Sequence, residues 1–179
     1  MINDIEKILI SEEEITARVK ELAETLDADY YDKKPLMVCI LKGSILFYAE
    51  LIKNMKSRLQ LDFMSASSYG SNTYSSGNVK LIRDLTTSIE GRHVIIVEDI
   101  VDTGHTLSYL ITMLNERKPA SIKVCTLLNK ECRRVVPLKA DYVGFEIDDY
   151  FVLGYGLDYD EYYRNLPFIG VLKEEVYKK

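Results

Sequence analysis

The chain has 179 residues, 47% of them hydrophobic and 28% charged, with a formal net charge of -5. This is a globular composition with material for one domain and a full core, not that of a disordered chain. The acidic balance argues against a general nucleic-acid surface. No apolar run approaches the roughly 18 residues that span a bilayer, and the opening MINDIEKILI lacks the basic-then-apolar layout of a secretion signal. The expected setting is therefore the cytoplasm, with no membrane partner.

In chain order, Ser11 of SEEE can cap a helix, and Glu14 completes a capping box. Ile15, Val19, Leu22 and Leu26 follow at helical spacing. LMVCIL (36–41) reads as a short buried strand ended by the loop KGS, and an apolar helix is expected from about Ile45 to Met55. LDFMSASSYG is extended from Leu61 and dissolves into SSYGSNTYSSGN (67–78). VKLIRDL (79–85) alternates like a return strand. The excursion between them is long enough to be either a functional lid or unstructured chain. VIIVEDIVDTGHTL (94–107) reads as a buried strand, a loop and a helix start. Leu107, Leu110, Ile111 and Leu114 share one helical face, and ERKPA ends that helix. SIKVCTLL (121–128) is a further buried strand and NKECRRVVP a basic loop. DYVGFEI and YFVLGYGLD read as later strands, and YDEYYRNLPFIGVLK closes the chain. Alternating strands and helices predict an α/β domain with a mainly parallel sheet. Cys39 and Cys125 fall in strand-like runs and are expected to be core thiols. Without a CxxC pair, neither a zinc site nor a disulfide framework is indicated.

The chemistry concentrates in EDIVDTGHTL. Ligands of α/β sheets bind beyond the carboxyl ends of the strands, and the first amides of a helix have no internal partners and favour an anion. The helix is expected to start near Thr106, with Gly104 allowing a tight turn and Thr103 and Thr106 offering hydroxyls. Together they suit one phosphate. The GxGxxG fingerprint is missing, and KGS (42–44) lacks the upstream glycine of a P-loop. Asp102 alone can be a helix cap. Glu98 and Asp99, adjacent at a strand end, are harder to explain as structure. They suit the two hydroxyls of a ribose, and a divalent cation bridging sugar and phosphate oxygens would relieve their repulsion.

VIIVEDIVDTGHTL resembles the phosphoribosyl pyrophosphate-binding motif of type I phosphoribosyltransferases. Other segments are similar to the hypoxanthine-guanine branch of that family. LKGS (41–44) resembles its pyrophosphate loop, and SSYG (67–70) its flexible catalytic loop. LLNK (127–130) resembles the strand end that offers a lysine to the purine, and DYVGFEIDDYFVLGYGLDYDEYYRNLPFIGVL its purine-binding region. The likeness covers about Leu36 to Leu172. It implies a type I phosphoribosyltransferase fold: a mainly parallel twisted sheet flanked by helices, with a small hood of terminal segments. The whole chain, 1–179, would form a single domain with its core at about 36–148.

The resemblance also implies an activity: transfer of phosphoribosyl from 5-phosphoribosyl 1-pyrophosphate to hypoxanthine or guanine, with Mg²⁺ as cofactor. Glu98 and Asp99 would bind the ribose hydroxyls, and the Asp102, Thr103, Gly104, His105 and Thr106 loop the 5′-phosphate. Asp102 would act as general acid or base at N7 of the purine. Lys130 would bind the 6-oxo group, Phe151 would stack on the base and the Val152 backbone would read its edge. Leu41, Lys42, Gly43 and Arg164 would bind pyrophosphate, and the Leu41–Lys42 peptide can be cis in this family. Glu98, Asp99 and Asp158 would serve the metal, and Ser68 and Tyr69 would close over the reacting centre. The His105 side chain is expected to face solvent, and His93 to be structural. A homodimer or homotetramer is implied, without nucleic acid as partner. RNA-binding regulators that share this fold would need a basic face, and KECRR is too short to supply one. Among other bases, xanthine stays open, whereas Lys130 speaks against adenine, whose 6-amino group donates.

Overall fold

Strands in the middle of the chain are unbroken apolar runs because both of their faces are covered. In β2 (Leu36–Leu41), Met37 and Cys39 face one core, which also holds Phe47, Tyr48 and Leu51 of α2 (Ile45–Asn54) and the buried face of α1 (Glu12–Tyr30). Leu36, Val38 and Ile40 face the other core, built on Leu107, Leu110 and Leu114 of α3 (His105–Asn115). β5 (His93–Val101) alternates in the same way, with Ile95 and Val97 toward the first core and Val94 and Ile96 toward the second. The computed structural model describes residues 1–68 and 79–177, with the side chain of Ser68 outside that description.

The main sheet has six strands. β3 (Gln60–Ser68), β4 (Val79–Arg83), β6 (Ser121–Asn129) and β7 (Tyr142–Glu146) join β2 and β5 in the order β4-β3-β2-β5-β6-β7. All neighbours are parallel except β3 and β4, which pair antiparallel up to Ser68 opposite Val79. The return strand expected from the alternation of VKLIRDL is this β4. The excursion that precedes it, with the expected lid residue Tyr69, lies outside the described residues, as does the side chain of Ser68.

A second sheet packs β1 (Ile5–Ile10), β9 (Ile169–Leu172) and β8 (Val152–Leu153) antiparallel, in the order β1-β9-β8. The two termini thus make the small hood. The short helix α4 (Glu174–Tyr177) follows it. No helix among the described residues is long and apolar enough to cross a membrane.

The structure corrects three details of the sequence reading. β1 went unread, because most of it is exposed and its partner lies at the other end of the chain. YFVLGYGLD is a strand only at Val152–Leu153. Gly154, Tyr155 and Gly156 then take φ of 94°, 47° and 102°, which turns the chain out of the sheet. The second helix stops at Asn54, one residue short. The capping box is as expected: Glu14 N–H donates to Ser11 Oγ at 3.2 Å, and Ser11 N–H to Glu14 Oε2 at 2.8 Å. Cys39 and Cys125 are buried and free.

Candidate active site

The carboxyl ends of β2, β5 and β6 open on one side of the main sheet, where three loops and the hood meet. Two buried acids show what is particular about this mouth. Asp62, inside β3, is a structural carboxylate. Burial works against its ionisation. The amides of Phe63, Thr86 and Thr87 at 2.8, 2.9 and 3.0 Å outweigh that and hold it below the ordinary range. Glu98 has no such support. Its Oε2 is shut from solvent without a hydrogen-bond partner among the described residues. Burial first, and then the neighbouring Asp99 charge, push its carboxyl well above the ordinary range. Asp99 is pushed up to about 6 by burial, opposed by the Ile100 amide, which donates to Oδ1 at 2.7 Å. The fold places these two acids at a strand end and leaves them wanting donors or positive charge.

Next to them, the loop from Asp102 leads into α3. Gly104 is the N-cap at φ 85°, and no side chain among the described residues caps the helix. Asp102 is therefore no helix cap. The helix starts at His105, one residue before the expected Thr106. Its first amides are open, and the dipole points its positive end at the loop. A Cβ at Gly104 would stand 2.8 Å from Val136 Cγ2 in a backbone conformation side chains avoid. His105 is partly buried, where the sequence suggested a solvent-facing side chain. Thr103 and Thr106 flank the same turn.

Asp102 keeps one oxygen, Oδ1, without a hydrogen bond, 3.2 Å from Arg133 Nε in an ion pair. The peptide behind it is braced by Arg134, which the sequence reading passed over as part of a basic loop. Arg134 donates to the carbonyls of Val101, Asp102 and Leu138 at 3.2, 2.9 and 2.5 Å, and to Asn129 Oδ1 at 2.5 Å. Asn129 in turn donates to Glu146 Oε1 at 3.0 Å. One guanidinium thus ties the ends of β5 and β6 and the start of the phosphate loop into one unit. Lys130, only 6% exposed, sits at the end of β6, with its amide bonded to the Val101 carbonyl at 2.9 Å. Its ammonium lies 3.6 Å from Asp149 Oδ1.

The loop after β2 contributes the third wall. Ser44 donates to the Ile40 carbonyl at 2.5 Å and starts α2, and the Leu41–Lys42 peptide is cis. Gly43 is pressed against the Asp99 carboxylate so closely that any Cβ would collide with it. This contact joins the expected pyrophosphate loop to the expected ribose site. Lys42 Nζ pairs with Glu161 Oε2 at 2.7 Å, and Arg164 pairs with Asp158 Oδ1 at 2.9 Å and Glu161 Oε1 at 3.4 Å. Arg164 also donates to the Gly156 carbonyl at 2.8 Å, and its Nε is buried without a partner among the described residues. Glu161 is another residue the sequence did not flag; nothing local in YDEYY distinguishes it from a solvated acid. Phe151, 39% exposed, has one face stacked on Tyr177 with centroids 4.7 Å apart, while Val152 beside it is buried.

Among the described residues no three histidine, cysteine, aspartate or glutamate side chains form a ready metal cage. Both Asp158 oxygens are already engaged, by Arg164 and by the Glu161 amide at 2.9 Å. The orphaned Glu98 oxygen and the raised Asp99 carboxyl fit a hard cation that arrives with substrate oxygens and needs only one or two protein carboxylates.

A family model described as a phosphoribosyl transferase domain matches residues 8–160. The chain is 57% identical over 178 residues to the hypoxanthine-guanine phosphoribosyltransferase of Bacillus subtilis (strain 168), covering 99% of each. It is 54% identical over 176 residues to that of Streptococcus thermophilus (strain CNRZ 1066), covering 98% of each. The crystal structure of a hypoxanthine phosphoribosyltransferase from Staphylococcus aureus superposes with a TM-score of 0.96 at 49% identity, covering 100% of this chain and 97% of that one.

Proposed function

The chain belongs to the phosphoribosyltransferase family, in its hypoxanthine-guanine branch, and from that premise we propose that the mouth of the main sheet exchanges pyrophosphate for a purine at C1 of a bound ribose. The reaction joins hypoxanthine or guanine to the phosphoribosyl group of 5-phosphoribosyl 1-pyrophosphate, giving IMP or GMP and pyrophosphate, a purine-salvage step. The observation that carries the residue assignment is the unpartnered Glu98 oxygen, with the raised Asp99 carboxyl next to it, beside an uncapped helix start. A ribose 5-phosphate brings two hydroxyl donors and one anion, which is what these groups lack.

Glu98 and Asp99 accept the ribose hydroxyls. The amides of the 103–106 turn and the Thr103 and Thr106 hydroxyls hold the 5′-phosphate at the positive end of α3. Lys42, Arg164 and the backbone of Leu41, Lys42 and Gly43 receive the pyrophosphate, displacing Glu161 from the two cations. Lys130 turns from Asp149 to the 6-oxo oxygen of the base. Phe151 offers the face not covered by Tyr177, and the Val152 backbone reads the ring edge. Asp102, whose Oδ1 is ion-paired with Arg133 but carries no hydrogen bond among the described residues, handles the proton at N7 as the base bonds to C1. Ser68 and Tyr69 keep water from C1. Glu98 and Asp99, joined by Asp158 once substrate has drawn Arg164 from it, would hold Mg²⁺, which would supply neutralisation of the leaving pyrophosphate. A homodimer or homotetramer is the assembly proposed with this reading.

The test is a turnover assay with Mg²⁺, phosphoribosyl pyrophosphate and, in turn, hypoxanthine, guanine, xanthine, adenine and uracil. Nucleotide is expected from hypoxanthine and guanine and none from adenine. Failure of every 6-oxopurine overturns the assignment.

A further inference from the structure

The amino ends of the same strands border an open surface cavity of about 570 Å³, lined mostly by exposed residues, on the side of the sheet away from the acid pair. Three entering loops build it. Lys33 and Lys34 precede β2, Arg58 precedes β3, and Arg92 precedes β5, whose first residue, His93, lines the same space. The strand register brings these starts together, with Leu36 opposite both Gln60 and Val94, and Gln60 N–H donates to the Pro35 carbonyl at 3.0 Å. A smaller recess of about 290 Å³ shares Lys34 and Arg58 and adds Lys56 together with one acid, Asp32.

The charge of this cavity runs against that of the molecule. The chain carries a net -5, yet no carboxylate lines the larger space. Among the other cations, Lys42, Arg117, Lys123, Arg133 and Arg164 each hold a carboxylate within 4 Å, whereas others, such as Lys7 and Arg83, meet only an aromatic ring among the described residues; what sets the basal four apart is that they line one cavity. Lys33, Lys34, Arg58 and Arg92 have no such partner among the described residues. The contact that Lys33 makes is with the Tyr30 ring, 5.0 Å away. His93 is fixed by a 2.8 Å hydrogen bond to Ser121 Oγ and packs edge-on against Tyr30, so one wall is rigid. Like charges gathered around an empty concavity repel each other, and a multivalent anion relieves this. Two guanidinium forks match phosphate oxygens in pairs, and the lysines add charge without imposing geometry. The volume is that of a small-molecule site and much larger than one phosphate needs.

We propose that this cavity is a second ligand site, separate from the catalytic mouth, that binds a compact anion of two or more linked phosphates. The source is either an inorganic polyphosphate or a nucleoside polyphosphate. The site needs nothing from the assignment of the mouth.

The experiment titrates inorganic tripolyphosphate, ATP, orthophosphate and a short single-stranded RNA into the full chain by calorimetry. The mouth is first saturated with IMP, which carries a single phosphate and so leaves the basal cavity to the titrant. One tripolyphosphate or ATP per chain is expected. The R58Q/R92Q double variant should bind at least tenfold more weakly with unchanged turnover, because neither guanidinium has a partner in the fold whose loss would unsettle it. Tighter ATP than tripolyphosphate identifies a nucleoside ligand, and equal binding an inorganic one; either supports the site. The proposal is overturned if tripolyphosphate and ATP do not bind the saturated protein or bind the double variant equally well. Equally tight orthophosphate binding, or binding of RNA alone, also overturns it. If saturation of the mouth itself fails while wild type and double variant still differ, the assignment of the mouth is at fault and the second site stands.

Discussion

The two ends of the main sheet make opposite use of the same strands. At the carboxyl ends, β5 delivers Glu98, whose Oε2 has no donor among the described residues, and Asp99, which has only backbone amides, and the cations around them are occupied by Asp158, Glu161 and Asp149. At the amino ends, the same strand begins at His93 in a cavity of unpaired cations without an acid. The mouth holds its cations in ion pairs, which the proposed reaction would exchange for substrate. The basal cavity has no such pairs among the described residues. His93 and Glu98 are five residues apart, about 17 Å along a strand. This is about two Debye lengths at physiological salt, so charge changes at one end should leave binding at the other nearly untouched.

That independence can be broken or sharpened in order of effect. The largest effect is expected from Asp102→Asn, which removes proton handling at the mouth while keeping the shape of the loop. Turnover should fall about 100-fold or more, with phosphoribosyl pyrophosphate affinity retained and tripolyphosphate binding at the basal cavity unchanged. Unchanged turnover would leave Asp102 merely the partner of Arg133. Lys130→Met comes next. Loss of a charged hydrogen bond should raise the KM for hypoxanthine about tenfold and leave that for phosphoribosyl pyrophosphate in place. Equal loss of both would point to a folding defect.

The third prediction concerns pH. The Asp99 carboxyl lies at about 6, above its ordinary value, and Glu98 is raised as well. Ribose hydroxyls or a cation favour the ionised forms. Binding of phosphoribosyl pyrophosphate near pH 6 should therefore release up to about one proton, fading above pH 8, as read by calorimetry in buffers of different ionisation enthalpy. For the free protein the sign is opposite to that of a salt-bridged acid. The fold holds this proton more tightly than the unfolded chain, so the contribution to stability is full below pH 4 and is lost as pH rises through 6. Proton uptake on binding would contradict the role given to the acid pair. The smallest effect is that of Glu161→Gln. It frees Lys42 and Arg164 at an exposed ion pair and should tighten pyrophosphate binding about twofold. Weaker binding would mean that Glu161 positions the cations instead of competing for them.

Much of the fold was legible because its signals are local. Continuous apolar runs marked the doubly covered strands, helical spacing marked the buried faces of α1 and α3, and Ser11 with Glu14 marked a helix start. The loop proposed to hold phosphate was legible for the same reason: strand, acids, glycine and helix start follow one another within a dozen residues, in one contiguous motif. Of the two roles the sequence left open for Asp102, the fold removes the cap by giving that position to Gly104, and proton handling stands as the proposal.

Tertiary structure alone decided the rest. β1 is a strand only because β9 comes back to pair with it from the far end of the chain. Arg134 looks like one more residue of a basic loop until its donors are seen on four separate oxygens of the sheet ends. The adjacent Lys33 and Lys34, Arg58 and Arg92 come from three separate stretches of the chain, and singly each reads as a surface cation. Parallel strands place all their starts on one side, and that geometry, which no local window contains, gathers the four into one cavity.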